Sequence, residues 1–291
     1  MDLAAYFERI GFAGEARPDL ATLRALHSAH LLAIPYENLD VQLGRPLTID
    51  PAAAFDKLVT KRRGGWCYEM NGLLAAALEE IGFEVTRMAG AVMREVRGDE
   101  AIGNHLVLRV DLGEPWIADV GLGDGTLEPY RLRAGTMQSG GYSFALEALD
   151  DRWWRFRNHQ FGGAPSFDVA IEPTALSVLA DKCRQLQTAP DSIFRMNLIC
   201  QRFKGDGVIL QLLGRSLRTL RPGTKSDRIL VSADELISVL AGDFGLDVPE
   251  AASLWPRICA RHDEVLAAAA AATAAAGSAP VGKADPEGAG L

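Results

Sequence analysis

The chain has 291 residues, 30 of them Lys or Arg and 38 Asp or Glu, for a formal charge of −8. That length can hold a full core in two or three domains, and the acidic balance argues against nucleic acid as the main partner. No apolar run reaches membrane-spanning length. The start, Met1-Asp2-Leu3-Ala4-Ala5-Tyr6, has neither a basic nor a long apolar leader region, so a cytoplasmic protein that does not bind membranes is expected.

Residues 1–82 read as mostly helical. Tyr6-Phe7-Glu8-Arg9-Ile10-Gly11 is a short helix closed by glycine. Pro18-Asp19 opens a longer one through Leu20, Leu23, Leu26 and His30 to Leu32; its His27 and His30 are expected to be structural or exposed. Ile34-Pro35-Tyr36-Glu37-Asn38-Leu39 breaks it. Asp50-Pro51 is a cap followed by proline at the first helical position, leading into 52–59. Then comes Arg63-Gly64-Gly65-Trp66-Cys67-Tyr68-Glu69-Met70-Asn71. Its two glycines are expected to let the backbone bend tightly. From Cys67 the spacing of Tyr68, Leu73, Leu74, Ala77, Leu78 and Ile81 predicts a helix, and Gly82 stops it. A cysteine at a helix N-terminus faces unpaired N–H groups and the positive end of the dipole, which favours the thiolate. A lone cysteine is most often a small buried apolar residue. The glycines before Cys67 and the helix after it point toward a nucleophile.

From Phe83 the period changes to two. Strands are predicted at 83–88 and 91–96, with a hairpin turn near Arg97-Gly98-Asp99, and at 105–110 and 116–120 around Gly113-Glu114-Pro115. A further hairpin joins 142–149 to 152–157 around Asp150-Asp151. The block 83–171 reads as an antiparallel sheet or a small barrel. A helix follows over 173–187. Another hairpin joins 192–203 to 207–213 around Gly205-Asp206-Gly207. Ser232 caps a helix through Glu235, Leu236, Val239 and Leu240, and Pro249 opens a last helix past Trp255 into 267–272. The stretch 277–291, rich in Gly, Ala and Pro, is expected to be disordered. The four cysteines, Cys67, Cys183, Cys200 and Cys259, are scattered and form no C-x-x-C pair. That fits neither a disulfide framework nor a zinc site. One reactive thiol and three core cysteines in a reducing compartment are expected, with no metal.

A cysteine nucleophile needs a base, and the base needs an orienter. His159 follows a predicted strand in a loop, and His262 sits on a charged helix. His105 begins a strand, where a side chain can enter a cleft while the strand holds it rigid. If the next turn centres on Leu112-Gly113, residue 105 lies opposite a residue near 119, and Asp119 stands there. The ordinary role for Asp119 is to cap the turn Gly121-Leu122-Gly123. Asp111 is too close to the turn to face His105, and Asp124 in the glycine loop is expected to be solvated. Spacing alone thus gives a Cys67–His105–Asp119 triad on a helix N-terminus packed against a sheet. A thioester intermediate on such a cysteine suits acyl transfer, without saying what is transferred.

Arg63-Gly64-Gly65-Trp66-Cys67, with Glu69 and Asn71, resembles the active-site motif of the arylamine N-acetyltransferases. Three other stretches resemble that family in the same order: Tyr6-Phe7-Glu8-Arg9-Ile10-Gly11, Ile34-Pro35-Tyr36-Glu37-Asn38-Leu39, and Asp119-Val120-Gly121-Leu122-Gly123 after His105. The match spans about 6–134; beyond about 170 only the general layout agrees. The resemblance implies an α+β fold with a papain- or transglutaminase-like core. A helical domain at 1–82 carries the cysteine, a β-barrel domain at 83–190 carries His and Asp, and an α/β lid follows at 191–276. It implies ping-pong transfer of acetyl from acetyl-CoA, through the cysteine, to an arylamine, arylhydrazine or N-hydroxyarylamine. Cys67, His105 and Asp119 inherit the catalytic roles. Tyr36 and Leu122 stand where the family commonly has phenylalanine lining the acceptor pocket, so stacking on an arylamine is expected to weaken or the pocket to widen. Asn104 and Gly123 lie where the pantetheine arm passes. Arg9, Glu37 and Arg63 match a buried ion-pair network.

The phosphates of CoA need cations. Between Arg202 and Arg228 stand seven basic residues (Arg202, Lys204, Arg215, Arg218, Arg221, Lys225 and Arg228) against Asp206 and Asp227. That patch is a solvated face by default and a phosphate site if the third segment is a lid. Two other readings share the Cys…His…Asp order: a cysteine amidase or transglutaminase-like enzyme, and a binding protein that has kept the fold without catalysis.

Overall fold

The structure is a computed structural model, and it describes residues 1–277. Asp2 and Asp19 accept from backbone N–H groups at the starts of α1 (Leu3–Ile10) and α2 (Leu20–Ala33). Two short elements follow, β1 (Tyr36–Glu37) and α3 (Leu39–Gln42). Asp50 caps α4 (Pro51–Phe55), which widens into a π turn over Asp56–Thr60. The site helix α5 (Cys67–Ile81) ends at Gly82 in the left-handed conformation, as its spacing predicts.

Eight strands and a short helix build the middle and lead into the last third. β2 (Glu84–Val92) is one strand, not the two predicted: Gly90 continues it, and Met93, with φ of 63°, ends it. The predicted hairpin near Arg97 is instead α6 (Arg94–Arg97) and a 3-10 turn over Gly98–Ala101. Then come β3 (His105–Asp111), β4 (Pro115–Ala118), β5 (Tyr130–Arg131), β6 (Gly135–Ser139), β7 (Tyr142–Ala148), β8 (Trp153–Arg157) and β9 (Ser166–Ala170). They form one antiparallel sheet in the order β5-β4-β3-β2-β9-β8-β7-β6. Among the described residues no ladder joins β5 to β6, so the sheet is open. After α7 (Leu176–Thr188) and α8 (Ile193–Met196), a second antiparallel sheet is built from β10 (Ile199–Phe203), β11 (Ile209–Leu213), β12 (Ser216–Arg221) and β13 (Thr224–Ile229). The hairpin β12–β13 escaped the sequence reading because its outer strand is exposed throughout and shows no apolar alternation. α9 (Ala233–Val239), capped by Ser232, and α10 (Trp255–Gly277) complete the chain. Gly277 thus ends a helix; the rest of the stretch expected to be disordered, 278–291, lies outside the described residues. The class is α+β, and no helix among the described residues is long and apolar enough to cross a membrane.

The second sheet borrows β1, which pairs with β10. Alternation then gives this sheet two cores. Phe203, Ile209 and Leu220 join the large core under α1, α2, α5 and the first sheet. Cys200, Leu210, Leu212 and Leu217 face the opposite way, onto α9 and α10, with Leu39 among them. Burying both faces ties the last third of the chain to residues 36–39.

Candidate active site

Cys67 is the first residue of α5 and is 2% exposed. Glu69, one turn in, accepts the Trp66 N–H at 3.3 Å and so satisfies one donor at the helix start. The glycines before Cys67 do not make the expected tight bend; it is Arg62 that takes the left-handed conformation, with φ of 50°. They are small because another backbone passes there. A Cβ on Gly64 would lie 2.3 Å from the Pro35 carbonyl oxygen, and the Glu37 N–H donates to the Gly65 carbonyl at 2.9 Å.

His105 opens β3 opposite Gly90. A Cβ on Gly90 would come within 3.0 Å of the His105 Cβ, so the glycine makes room for the ring. The ring's Nε2 donates to Asp119 Oδ2 at 2.7 Å, its edge meets Phe167, and Cys67 is its neighbour on the same cavity. Cys67 Sγ also lies 3.9 Å from the Asn104 carbonyl oxygen. Burial would drive the imidazole toward neutrality. The charge and hydrogen bond of Asp119, with the thiol, outweigh it and raise the ring to about 10. Burial likewise opposes ionisation of Asp119, yet His105 and Asn71 hold its carboxyl below the usual range.

The register by which the sequence pairs these two residues needs correction. The β3–β4 ladder pairs Leu108 with Ala118 and Arg109 with Ile117, so it centres on Gly113 and not Leu112. A slip of two residues keeps each side chain on its face, and the partnership survives it. Asp119 lies just beyond β4 and is held from three sides. Its Oδ1 accepts from Asn71 Nδ2 at 2.8 Å and from the Gly121 N–H at 2.9 Å, and its own N–H donates to His27 Nε2 at 3.1 Å. Asp119 therefore caps the glycine turn and orients His105 at once. Asn71 is one helical turn past Cys67, on the same face, which is the sequence signal that could have assigned it. Its Oδ1 also accepts the Val120 N–H at 2.9 Å. Gly121 is the third requirement: a Cβ there would sit 2.7 Å from the Cys67 Cα and 2.6 Å from Asn71 Nδ2.

His27 and His30 are structural and fully buried. Burial pushes His27 down to about 4, so its ring is neutral, with Nδ1 donating to the Leu127 carbonyl and Nε2 accepting from Asp119. His30 bonds the Tyr6 hydroxyl through Nδ1 at 2.9 Å. Asp124 is the plainest departure from expectation. It is 1% exposed, not solvated, and its carboxylate accepts from Gln211 Nε2 at 2.6 Å, the Gly163 N–H at 2.6 Å and Asn158 Nδ2 at 3.1 Å. Of the remaining cysteines, Cys183 and Cys200 are core residues, and burial pushes the Cys183 thiol up to about 12. Cys259 is only partly buried, contrary to expectation.

Behind the cysteine lies an ion network whose membership differs from the expected one. Arg63 donates to Glu37 Oε1 at 3.0 Å and Asp40 Oδ1 at 3.2 Å, and Lys57 Nζ reaches Glu69 at 2.9 Å, Asp40 at 3.1 Å and Glu37 at 3.7 Å. Arg9 instead donates to the carbonyls of Leu58, Ala33 and Arg63. Burial raises Glu69 to about 7, against the pull of Lys57.

A cavity of about 580 Å³ opens on Cys67 and His105. Tyr36, Leu122 and Asn104 line it. Gly123 does not; it lies beneath Gln201, whose Oε1 would be 2.1 Å from a Cβ there. Asn104 turns its side-chain amide to the Val92 backbone and so fixes the wall, not the contents. Of the basic stretch 202–228, only Arg218 lines the cavity. It is paired with Asp227, while Arg228 is paired with Glu235 and Lys204 bonds the Asp243 carbonyl.

A family model described as N-acetyltransferase matches residues 19–253. The arylamine N-acetyltransferase of Mycolicibacterium smegmatis is 36% identical over 261 residues, 87% of this chain and 94% of that one. The arylamine N-acetyltransferase / N-hydroxyarylamine O-acetyltransferase of Salmonella typhimurium is 34% identical over 252 residues, 84% of this chain and 89% of that one. The structure of Mycobacterium marinum arylamine N-acetyltransferase in complex with CoA superposes with a TM-score of 0.80 at 31% identity, covering 91% of this chain and 99% of that one.

Proposed function

The chain belongs to the arylamine N-acetyltransferase family of acyltransferases, and from that membership we propose a ping-pong acetyl transfer through Cys67. The donor is acetyl-CoA, as the CoA complex of the Mycobacterium marinum relative supports. The acceptor is an arylamine, arylhydrazine or N-hydroxyarylamine. Cys67 is the nucleophile, His105 the base and Asp119 its orienter. The observation that carries this reading is the chain of contacts from Cys67 to His105 to Asp119, closed by Asn71 back onto the cysteine's own helix.

The thiolate form of Cys67 pairs with the imidazolium of His105. Its sulfur attacks the thioester carbonyl; a carbon–sulfur bond forms, the tetrahedral oxyanion takes hydrogen bonds from backbone N–H groups including that of Cys67, and the bond to CoA then breaks, CoA leaving as the thiol with the proton of the His105 imidazolium, which becomes neutral imidazole. The amine nitrogen then attacks the acetyl-cysteine, His105 takes its proton, and the thiolate is released. An aromatic amine is neutral at pH 7 and needs no prior deprotonation. Tyr36 and Leu122 face the acceptor, and Asn104 shapes the passage of the pantetheine arm. We read the chain as a helical segment 1–82, a β segment 83–190 and an α/β segment 191–276 that covers the cavity as a lid, acting in the cytoplasm.

Intact mass of the protein with acetyl-CoA alone, then with aniline added, tests the scheme. One acetyl group on Cys67 that disappears with aniline is expected. In Cys67→Ser, whose hydroxyl stays protonated, turnover is expected to vanish. Near-normal turnover in that variant would rule out the covalent route. No acetylation of the wild type would favour an amidase or a silent binding protein.

A further inference from the structure

The second sheet turns one straight cross-strand row toward the cavity. Tyr36 pairs with Gln201, Gln201 with Gln211, Gln211 with Arg218, and Arg218 with Asp227. All five line the cavity. Register partners project to the same face, so the row is a continuous wall about 19 Å long, four strand spacings of about 4.8 Å. Its two ends differ. At the mouth, Arg218 and Asp227 are paired with each other and partly exposed. At the inner end, Tyr36, Gln201 and Gln211 are 7%, 8% and 8% exposed.

Polar groups at that inner end lack partners. Neither the Tyr36 hydroxyl nor the Gln201 side-chain amide hydrogen-bonds another described residue, and both residues line the cavity. Gln211 bonds Asp124, whose buried carboxylate is itself part of the cavity wall and has no Lys or Arg paired to it among the described residues. An unsubstituted aniline pressed against this wall would strip water from the hydroxyl and the amide and return no hydrogen bond, which costs binding. Leu122, on the same cavity, offers no aromatic face to compensate. A ring carboxylate would meet the field of Asp124.

We propose that Tyr36, Gln201 and Gln211, backed by Asp124, form an acceptor-selecting wall, and that the preferred acceptors are aromatic amines bearing an uncharged ring substituent that both donates and accepts hydrogen bonds, such as a carboxamide. The inference rests on the transferase reading and specifies its acceptor class.

The test compares 3- and 4-aminobenzamide with 3- and 4-aminoacetophenone. Each pair shares ring and carbonyl and differs by NH2 against CH3. Cys67 is first acetylated and checked by mass, and kcat/KM for the amine is then measured. In the better-fitting positional isomer, a preference for the amide of about tenfold or more is expected. Tyr36→Phe and Gln201→Leu should each cut that ratio severalfold while still acquiring the acetyl group. Tyr36→Phe deletes a single oxygen and guards against a fold defect in the other variant. Acetylated Cys67 with a ratio near one in the wild type, or a ratio unmoved in both variants, would overturn the inference alone. So would a Gln201→Leu effect confined to KM for acetyl-CoA, which would assign the wall to the donor. No acetylation of the wild type would overturn the transferase reading and this inference with it.

Discussion

The two buried charges of the site set a pH dependence with opposite signs. His105 is raised from 6.5 to about 10 on folding, so it adds stability that is full below about 6.5 and lost as pH climbs through 10. Asp119 is lowered from 3.8, so its contribution is present above that value and lost as pH falls through the lower folded one. Urea unfolding of the wild type should therefore weaken steadily from pH 6.5 to 10, and the slope should be clearly flatter in His105→Gln. Equal slopes would mean that the imidazolium is not held by Asp119. The grouping of Cys67, His105 and Asp119 was legible in the sequence because each has a local marker: glycines before a helix, a strand start, a strand end. What holds them was not. Asn71, Gly90 and His27 act through contacts 15 to 92 residues apart in the chain, which no local pattern reports. Asp124 was misjudged for the same reason. Glycine-rich flanks suggested solvent, and the residues that bury it, Gln211 among them, arrive from the second sheet.

Helices were easier to place than strands, because an amphipathic helix announces its own face while a strand is defined by its partner. β2 was split at Gly90 because glycine reads as a break; in the sheet it is a gap left for His105. α5 was placed correctly, yet its anchoring depends on an element that looked unremarkable. Lys57, on the π turn after α4, is the one lysine within reach of Glu37, Asp40 and Glu69 among the described residues. It joins that turn, the start of α5 and the segment after β1. Lys57→Met keeps the stem and removes the cation, leaving Glu69 with no cation and Glu37 and Asp40 with Arg63 and, for Asp40, the more exposed Arg45. Removing one partner of a buried pair typically costs about 3–5 kcal/mol. A loss of that size in urea unfolding is expected, with Cys67 acetylation slowed because Glu69 no longer fixes the helix start. A loss below about 1 kcal/mol would show that Lys57 is not what holds these carboxylates in place.

At the scale of the whole molecule, the last third of the chain is fastened to the first by more than the covalent link near 190. β1 is a strand of the second sheet, and Leu39 sits in the core beneath α9 and α10. Asn38 adds three hydrogen bonds: its Nδ2 donates to the carbonyls of Phe194 and Asn197 at 2.9 and 2.8 Å, and its Oδ1 accepts from the Ile199 N–H at 2.8 Å. Arg257 of α10 in turn donates to the Gln42 carbonyl at 2.8 Å. Because Phe203, Ile209 and Leu220 lie in the large core, the same sheet that lines the cavity also joins the packing with α5. A cover fastened in this way cannot swing away without exposing part of two cores. Substrates should therefore enter by side-chain motion at the cavity mouth, where the Arg218–Asp227 pair is exposed. Asn38→Ala tests the fastening. It strands the Ile199 N–H in a part-buried place, at a cost of about 1–3 kcal/mol, while Gln42 Nε2 still donates to the carbonyls of Phe194 and Asn197. If the last third is integral, far-UV and near-UV circular dichroism will report one transition in the wild type and one in the variant, at a lower urea midpoint. Two separated transitions in Asn38→Ala would mean that 191–276 melts by itself, and the cavity would then have a movable cover after all.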